Sequence, residues 1–315
     1  METIKKISEL TKKYSRPVIA LGMFDGVHVG HVSVIRHAVE IAKENDGTAM
    51  VFTFLNHPLN VLDPQSAPLM ICNRSLRREI FAELGIKILI EILFTKEFSK
   101  KSPEEFLNLI KEKISPIYVV TGPNYTFGRS GKGNCRMLVR ECENYGFKAE
   151  ICSAVAIDKK MVSSTKIRAL IANGNLELAN EFLGYEFTYA STVVHGDKRG
   201  RKLGFPTANL EIDDGHAMLP NGVYAVRVKT DGMFYGGIAN IGDNPTFKLA
   251  KRRLEIFIDN FNRDIYGEEI FVSFIKKIRE EKIFSSVEEL QSQIYEDIRI
   301  FKSIFNFNKL GEKFR

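Results

Sequence analysis

The sequence predicts two folds in series: an α/β half built on a parallel sheet, then a small antiparallel β-barrel closed by a long helix. Three observations lead there. Continuous apolar runs alternate with amphipathic segments up to about residue 184, as in a sheet covered on both faces. After Tyr185 the texture changes to short strands between turn signals, with one long helix at the end. The chain has 315 residues, and domains commonly run to roughly 100–200 residues, so two are expected. The boundary is placed at 184–186, giving domains 1–184 and 185–315.

The elements follow in order. Val18-Ile19-Ala20-Leu21-Gly22 reads as a buried strand, and His31 to Glu44 as a helix with Val34, Ile35, Ala38, Ile41 and Ala42 on one face. Strands are predicted at Ala49–Phe54, Lys87–Leu93 and Ile117–Val120. Asn73 to Leu84 is a helix stopped by Gly85, and Ser102-Pro103-Glu104-Glu105 opens another, with Ser as cap and Pro in the first turn. Helices Ser164–Ala172 and Leu176–Leu183 end at Gly174 and Gly184. The second half has strands at Phe187–Val194, Gly222–Val228, Phe234–Ile241, Leu254–Asp259 and Ile270–Ile278. A helix follows from Val287 to about Phe305, with Leu290, Ile294, Ile298 and Phe301 on its apolar stripe.

Hydrophobic residues make up 44% and charged residues 27%, enough for a core in each half. The net charge of +6 suits a protein that handles phosphorylated small molecules. The basic residues are scattered rather than clustered, so no nucleic-acid partner is expected. No run of about 18 apolar residues and no secretion signal is visible, and the four cysteines form no C-x-x-C pair. The expectation is a cytoplasmic protein with reduced thiols and no membrane contact.

The first strand runs into Gly22-Met23-Phe24-Asp25-Gly26-Val27-His28-Val29-Gly30-His31, and a helix follows. In that setting, backbone N–H groups and the helix dipole hold anions, and glycines let phosphate oxygens approach. His28 and His31 could both donate hydrogen bonds to a triphosphate and stabilise the charge that grows as pyrophosphate leaves. Taken alone, the segment could also be a structural turn with two surface histidines, or half of a metal site. Ser163-Ser164-Thr165-Lys166-Ile167-Arg168 offers a second phosphate grip at a helix start, although a lone cap and basic face would look the same. Asn124, in the loop after the strand at 117–120, and His57, after the strand at 49–54, sit where open α/β sheets bind ligands.

In the second half, Gly196 to Gly204 interleaves glycines with cations, including Lys202, and could wrap phosphates without being a P-loop. Thr207 and Asn209 alternate on one strand and present oxygen atoms of the kind a Mg²⁺ ion prefers. A basic surface hairpin is the plainer alternative. Glu255 is an acid between apolar neighbours, either outward-facing or a functional carboxylate.

Together the N-terminal segments resemble the H-x-G-H nucleotidyltransferases, and more narrowly the adenylyltransferase domain of bacterial bifunctional riboflavin kinase/FAD synthetases. The strings F-D-G-V-H-x-G-H and S-S-T-x-I-R carry that resemblance. The G-R-K-L-G-F-P-T-A-N string, Gly222-Val223-Tyr224-Ala225-Val226, Asn240 to Phe247, Tyr266-Gly267 and Ile278 to Phe284 resemble the riboflavin kinase barrel of the same enzymes. The resemblance spans about 16 to 305, with the halves in the family's order. It implies a Rossmann-like nucleotidyltransferase domain and a kinase barrel. It implies ATP or phosphate contacts for Gly22, Phe24, Asp25, Gly30, Ser164, Thr165, Gly196, Lys202 and Gly204. Catalytic roles fall on His28, His31, Arg168 and, as base, Glu255; flavin contacts fall on His57, Asn124 and Arg279. Mg²⁺, bound with ATP, falls to Thr207 and Asn209. The partners are riboflavin, FMN and ATP, with FMN and FAD as products rather than prosthetic groups. Asn56, Asn124-Tyr125, Phe257 and Arg263 depart from the family's usual residues. Two rivals are an adenylyltransferase whose kinase barrel binds flavin without turnover, and a non-catalytic regulator that binds flavin nucleotides or RNA. The intact P-T-A-N string and Glu255 weigh against the first, and the lack of a clustered basic-aromatic surface against the second.

Overall fold

The structure is a computed structural model that describes residues 1–10, 14–196, 200, 204–243 and 252–307. The chain divides into two compact units. One comprises Met1–Met70 and Arg77–Ser164, the other Ile71–Leu76 and the chain from Thr165 onward.

The first unit is a parallel sheet of six strands: β1 (Glu2–Ile4), β2 (Pro17–Leu21), β3 (Thr48–Phe54), β4 (Ile88–Ile92), β5 (Tyr118–Thr121) and, beyond two short strands, β8 (Lys148–Ile151). Every pairing is parallel, in the order β1-β4-β3-β2-β5-β8. The predicted α/β architecture is therefore present. All residues of β2 and β4 are buried, as both faces of a parallel sheet should be. The connecting helix α1 (Val29–Glu44) buries Val34, Ile35, Ala38, Ile41 and Ala42, the predicted face. A short helix α2 (Leu59–Leu62) follows β3, and α3 (Arg74–Glu83) is capped by Asn73, whose Oδ1 accepts from the Leu76 N–H at 3.0 Å. In α4 (Pro103–Lys113), Ser102 and Glu105 form a reciprocal capping box, worth about 1 kcal/mol. The hairpin β6 (Thr126–Phe127) and β7 (Gly133–Asn134) leads into α5 (Cys135–Glu141), and a second hairpin joins β9 (Ala156–Ile157) to β10 (Lys160–Met161).

The strand order reverses beside β2, with β3 on one side and β5 on the other. Open α/β sheets bind ligands outside the carboxyl ends of the strands at such a switch point.

The second unit opens with α6 (Ser164–Ala172), whose first residue still belongs to the first unit, and α7 (Leu176–Leu183). Six antiparallel strands follow: β11 (Thr188–Val194), β12 (Thr207–Glu211), β13 (Gly222–Thr230), β14 (Met233–Asp243), β15 (Arg252–Ile258) and β16 (Glu269–Arg279). They close into the predicted barrel, in the order β11-β12-β15-β14-β13-β16. Leu254, Ile256, Ala239, Ile241, Val226 and Val228 are fully buried. The opposite face of the wall carries Val223, Ala225 and Ile238, which pack against Phe301, Ile298 and Phe305 of the last helix, α8 (Val287–Phe307).

Candidate functional sites

The first unit has a cavity of about 800 Å³ at the carboxyl ends of its strands. Its wall is built from the segments after β2 (Gly22, Met23, Phe24), β3 (Phe54, His57), β5 (Gly122, Asn124) and β8 (Ser153, Val155). Gly22, Phe24, His28, Gly30, His31, His57, Asn124 and Ser164, all predicted from sequence, meet on this wall. A Cβ on Gly22 would lie 2.8 Å from the Phe24 ring, so only glycine lets that ring tuck beneath the strand end. Phe24 is buried with φ of 51° and meets the His31 ring edge-on at 5.4 Å.

His28 caps α1: its Nδ1 accepts from the His31 N–H at 3.3 Å. A nitrogen that accepts carries no proton, so the neutral ring has its hydrogen on Nε2. The two rings stack with centroids 3.6 Å apart. Burial, then the neighbouring His28, hold the His31 imidazole well below its ordinary pKa near 6.5. His31 is thus neutral at pH 7, a hydrogen-bond donor rather than a fixed cation. Its Nδ1 is buried and has no partner among the described residues.

Asp25 is buried at 2% exposure and is not on the cavity wall. Its backbone carbonyl accepts from Ser164 Oγ at 3.0 Å, which ties Ser164 to the His28 loop. Thr165 and Arg168 lie on α6 in the second unit. His57 turns Nδ1 to the Leu59 N–H at 3.2 Å, fixing its ring at the start of α2.

Sequence reasoning missed one feature of this cavity. Phe52, Phe54, Phe94, Phe98, Phe106 and Phe127 line one end of it in edge-on and tilted contacts, with centroids 5.0–6.3 Å apart. Tyr125 stacks on Phe127 at 5.9 Å, and burial pushes its phenol pKa up. These residues come from β3, the segment after β4, α4 and the segment 125–127, so no local string announces them. Lys100, Lys101 and Arg129 supply cations at the wall. No Asp or Glu lines it among the described residues.

The barrel unit has a second cavity, of about 390 Å³, and Thr207, Asn209, Glu255 and Arg279 all line it. The register explains the convergence. Asn209 on β12 stands opposite Glu255 on β15, which stands opposite Asn240 on β14. Three polar side chains therefore share one face of adjacent strands. Glu255 points away from the barrel interior, where Leu254 and Ile256 are buried, yet it faces a cavity that Leu290, Ile294 and Asp297 of α8 also line. It is outward-facing on its strand and enclosed at once. Asn209 Nδ2 contacts the Thr207 carbonyl at 3.4 Å, and a Cβ on Gly196 would collide with the Asn209 amide. Gly204 adopts φ of +86°, and neither it nor Gly196 lines the cavity. Lys202 lies outside the described residues. Arg279 is gripped by Asp297 of α8, with Nε–Oδ1 and Nη2–Oδ2 both 2.9 Å, and lies 5.8 Å from the Phe284 ring centroid. Asp243, Arg253, Glu281 and Lys282 complete the charged lining among the described residues.

The geometry gives one phosphate-compatible cavity without carboxylates and one with a central carboxylate, each in its own unit. Comparison with known proteins places both. The FAD synthetase family model matches residues 10–166, and the riboflavin kinase family model matches residues 183–305. The bifunctional riboflavin kinase/FMN adenylyltransferase of Bacillus subtilis (strain 168) is 35% identical over 303 residues, spanning 94% of this chain and 96% of its own. The chain belongs to the bifunctional riboflavin kinase/FMN adenylyltransferase family. The Listeria monocytogenes member is 37% identical over 290 residues, covering 91% of this chain and 92% of its own. A solved structure from Streptococcus pneumoniae, described as a macrolide-efflux protein, shares the fold: TM-score 0.83, 32% identity, 95% of this chain and 98% of that one covered. Among the described residues of this family member, no helix is long and apolar enough to cross a membrane.

Proposed function

We propose that this chain makes flavin nucleotides in two steps, phosphorylating riboflavin to FMN with ATP and then adenylylating FMN to FAD with release of pyrophosphate, in the cytoplasm. One observation carries the division of labour: the charged groups of the two cavities match the two nucleophiles. A hydroxyl must lose a proton as it attacks phosphorus, so its site needs a base. A phosphate is already an anion at neutral pH, so its site needs cations and donors and is harmed by carboxylates.

The barrel cavity has the base. The riboflavin 5′-hydroxyl attacks the γ-phosphorus of ATP, Glu255 takes its proton, and ADP leaves. Thr207 and Asn209 fit a Mg²⁺ site: a hydroxyl and an amide oxygen on one strand face, opposite a carboxylate, are the hard oxygen donors that ion takes together with substrate phosphates. Bound there with ATP, Mg²⁺ would neutralise charge on the phosphates. Arg279, held by Asp297, orients the flavin.

The first cavity fits the anion. The FMN phosphate attacks the α-phosphorus of a second ATP, giving FAD and pyrophosphate. His28 and His31, Ser164 and the backbone donors at the start of α1 align the phosphates and stabilise the developing charge. Asn124 offers an amide where a carboxylate would repel the FMN phosphate. The adenylylating half is assigned to 1–184 and the kinase half to 185–315. Incubating the pure protein with riboflavin, ATP and Mg²⁺ and separating the products tests the reading: FMN should appear first and FAD after it. Neither product, or FAD only when FMN is supplied, would refute the two-step function.

A further inference from the structure

Arg77 carries a buried charge that the chemistry above does not use. It is 1% exposed, and its partner Glu91, the next-to-last residue of β4, is 0% exposed. Arg77 Nη1 donates to the Met23 carbonyl at 3.3 Å, and Nη2 donates to the Phe54 carbonyl at 2.9 Å and to Glu91 Oε1. Arg78 donates to the other Glu91 oxygen at 2.6 Å, and Thr53 Oγ1 gives the Met23 carbonyl a second donor at 2.9 Å. Met23 follows β2 and Phe54 ends β3. Both line the first cavity, whereas Arg77 does not.

A buried ion pair is a poor way to gain stability, because two apolar side chains of similar volume commonly do as well. The pair does what apolar residues cannot: it holds two backbone carbonyls at neighbouring strand ends in fixed positions. The planar guanidinium reaches the Met23 carbonyl from Nη1 and both the Phe54 carbonyl and the carboxylate from Nη2, and a lysine ammonium, one point on a flexible stem, cannot span all three. The Met23 carbonyl is five residues from His28 and opens the loop that delivers both histidines. We infer that Arg77 is a positioning residue for adenylyl transfer, locking the Met23 and Phe54 carbonyls and so the loop bearing His28 and His31, with Glu91 as its countercharge. This rests on the adenylylating role proposed above.

The test uses the full chain in three forms: wild type, Arg77→Lys and the double variant Arg77→Met/Glu91→Met. In the double variant Arg78, already 32% exposed, can turn to water. Each is assayed for FAD formation from FMN and FMN formation from riboflavin, and its folded fraction is taken from a urea transition. Misplacing reacting groups by about 1 Å costs on the order of 100-fold. Both variants should therefore lose about 10–100-fold in kcat for FAD formation beyond any loss of folded fraction. KM for ATP and FMN should stay within about threefold, and FMN formation should be retained. A folded variant with near-normal kcat, or a loss equal to its unfolded fraction, overturns the positioning role. So does failure of both variants to fold, which would make Arg77 a residue of folding alone. Wild type that makes no FAD from FMN would instead refute the functional reading.

Discussion

Replacing Asp297 by Asn keeps the shape of the side chain and removes one charge. Asp297 is 4% exposed, and Arg279, at 15%, gives it three contacts of 2.9–3.1 Å from Nε and Nη2. Gln293 Nε2 adds a fourth bond at 3.0 Å. In the variant at least one acceptor oxygen becomes an NH₂ that faces another donor, and the guanidinium loses its countercharge. Breaking a buried pair costs about 3–5 kcal/mol when the remaining charge stays dry. Here Arg279 borders a cavity and donates from Nη1 to the Glu280 carbonyl at 2.9 Å, so water and that carbonyl offset part of the loss. A cost of about 2–3 kcal/mol is expected. With a urea slope of about 1–3 kcal/mol/M, the midpoint for loss of kinase activity should fall by about 0.7–3 M. A guanidinium no longer held against α8 should also raise KM for riboflavin about tenfold, roughly 1.4 kcal/mol of binding. FAD formation from supplied FMN is the internal control and should not change. An Asp297→Asn variant with wild-type midpoint and wild-type KM would show that Asp297 does not hold Arg279 in place for flavin.

Three further outcomes are expected. Glu255→Gln should reduce FMN formation by about 10²–10⁴-fold while FAD formation from FMN persists, and near-normal kinase turnover would make Glu255 an ordinary strand acid. His31→Gln should suppress FAD formation and also change the pH dependence of stability. The folded ring stays neutral while the unfolded ring takes a proton near 6.5, so wild-type stability should fall as pH drops from about 6.5 toward the lower folded value, by up to about 1.4 kcal/mol per unit; urea transitions of both proteins from pH 7.5 to 5 should show that slope only in wild type. Fragments 165–315 and 185–315 should both convert riboflavin to FMN without making FAD. The longer one should melt higher, because Asn180 of α7 donates to the Phe274 carbonyl at 3.1 Å and accepts from the Phe187 N–H at 2.7 Å.

The fold was legible where the signal is periodic. The apolar runs of β2, β3 and β4, the stripe of α1 and the Ser102 cap are local patterns, and the structure has each element where they place it. Two-residue strands such as β6 and β7 carry no such period, and β8, Lys148–Ile151, alternates too briefly to stand out. The candidate sites divide the same way. Gly22 to His31 is contiguous, and Thr207 with Asn209 lies on one strand, so both could be read directly. That Glu255 faces Asn209 is a matter of register between β12 and β15, which are separated in sequence by two strands. The phenylalanine wall of the first cavity and the Arg77–Glu91 pair are likewise products of tertiary assembly. Glu91 alone left a trace, an acid inside Ile88-Leu89-Ile90-Glu91-Ile92, where a parallel strand offers no solvated face. A carboxylate there must have a buried cation, and the sequence does not say which of the many arginines supplies it.

The contrast between the cavities also explains why one chain needs two folds for two uses of ATP. A parallel sheet sends its strand ends, helix N-termini and their backbone donors to one edge, which favours anions and leaves no need for a carboxylate. His28 and His31 sit there stacked, and burial with the neighbouring His28 keeps the His31 ring neutral. An antiparallel barrel places side chains in register across its wall, which is how Glu255, the proposed base, stands directly opposite Asn209. On the proposed roles, moving Glu255 into the first cavity would repel both phosphates. The two reactions share a cosubstrate but require opposite electrostatics, and opposite electrostatics favour separate sites. A single cavity would have to protonate and deprotonate one group between steps, so mutations that impair one activity should leave the other standing.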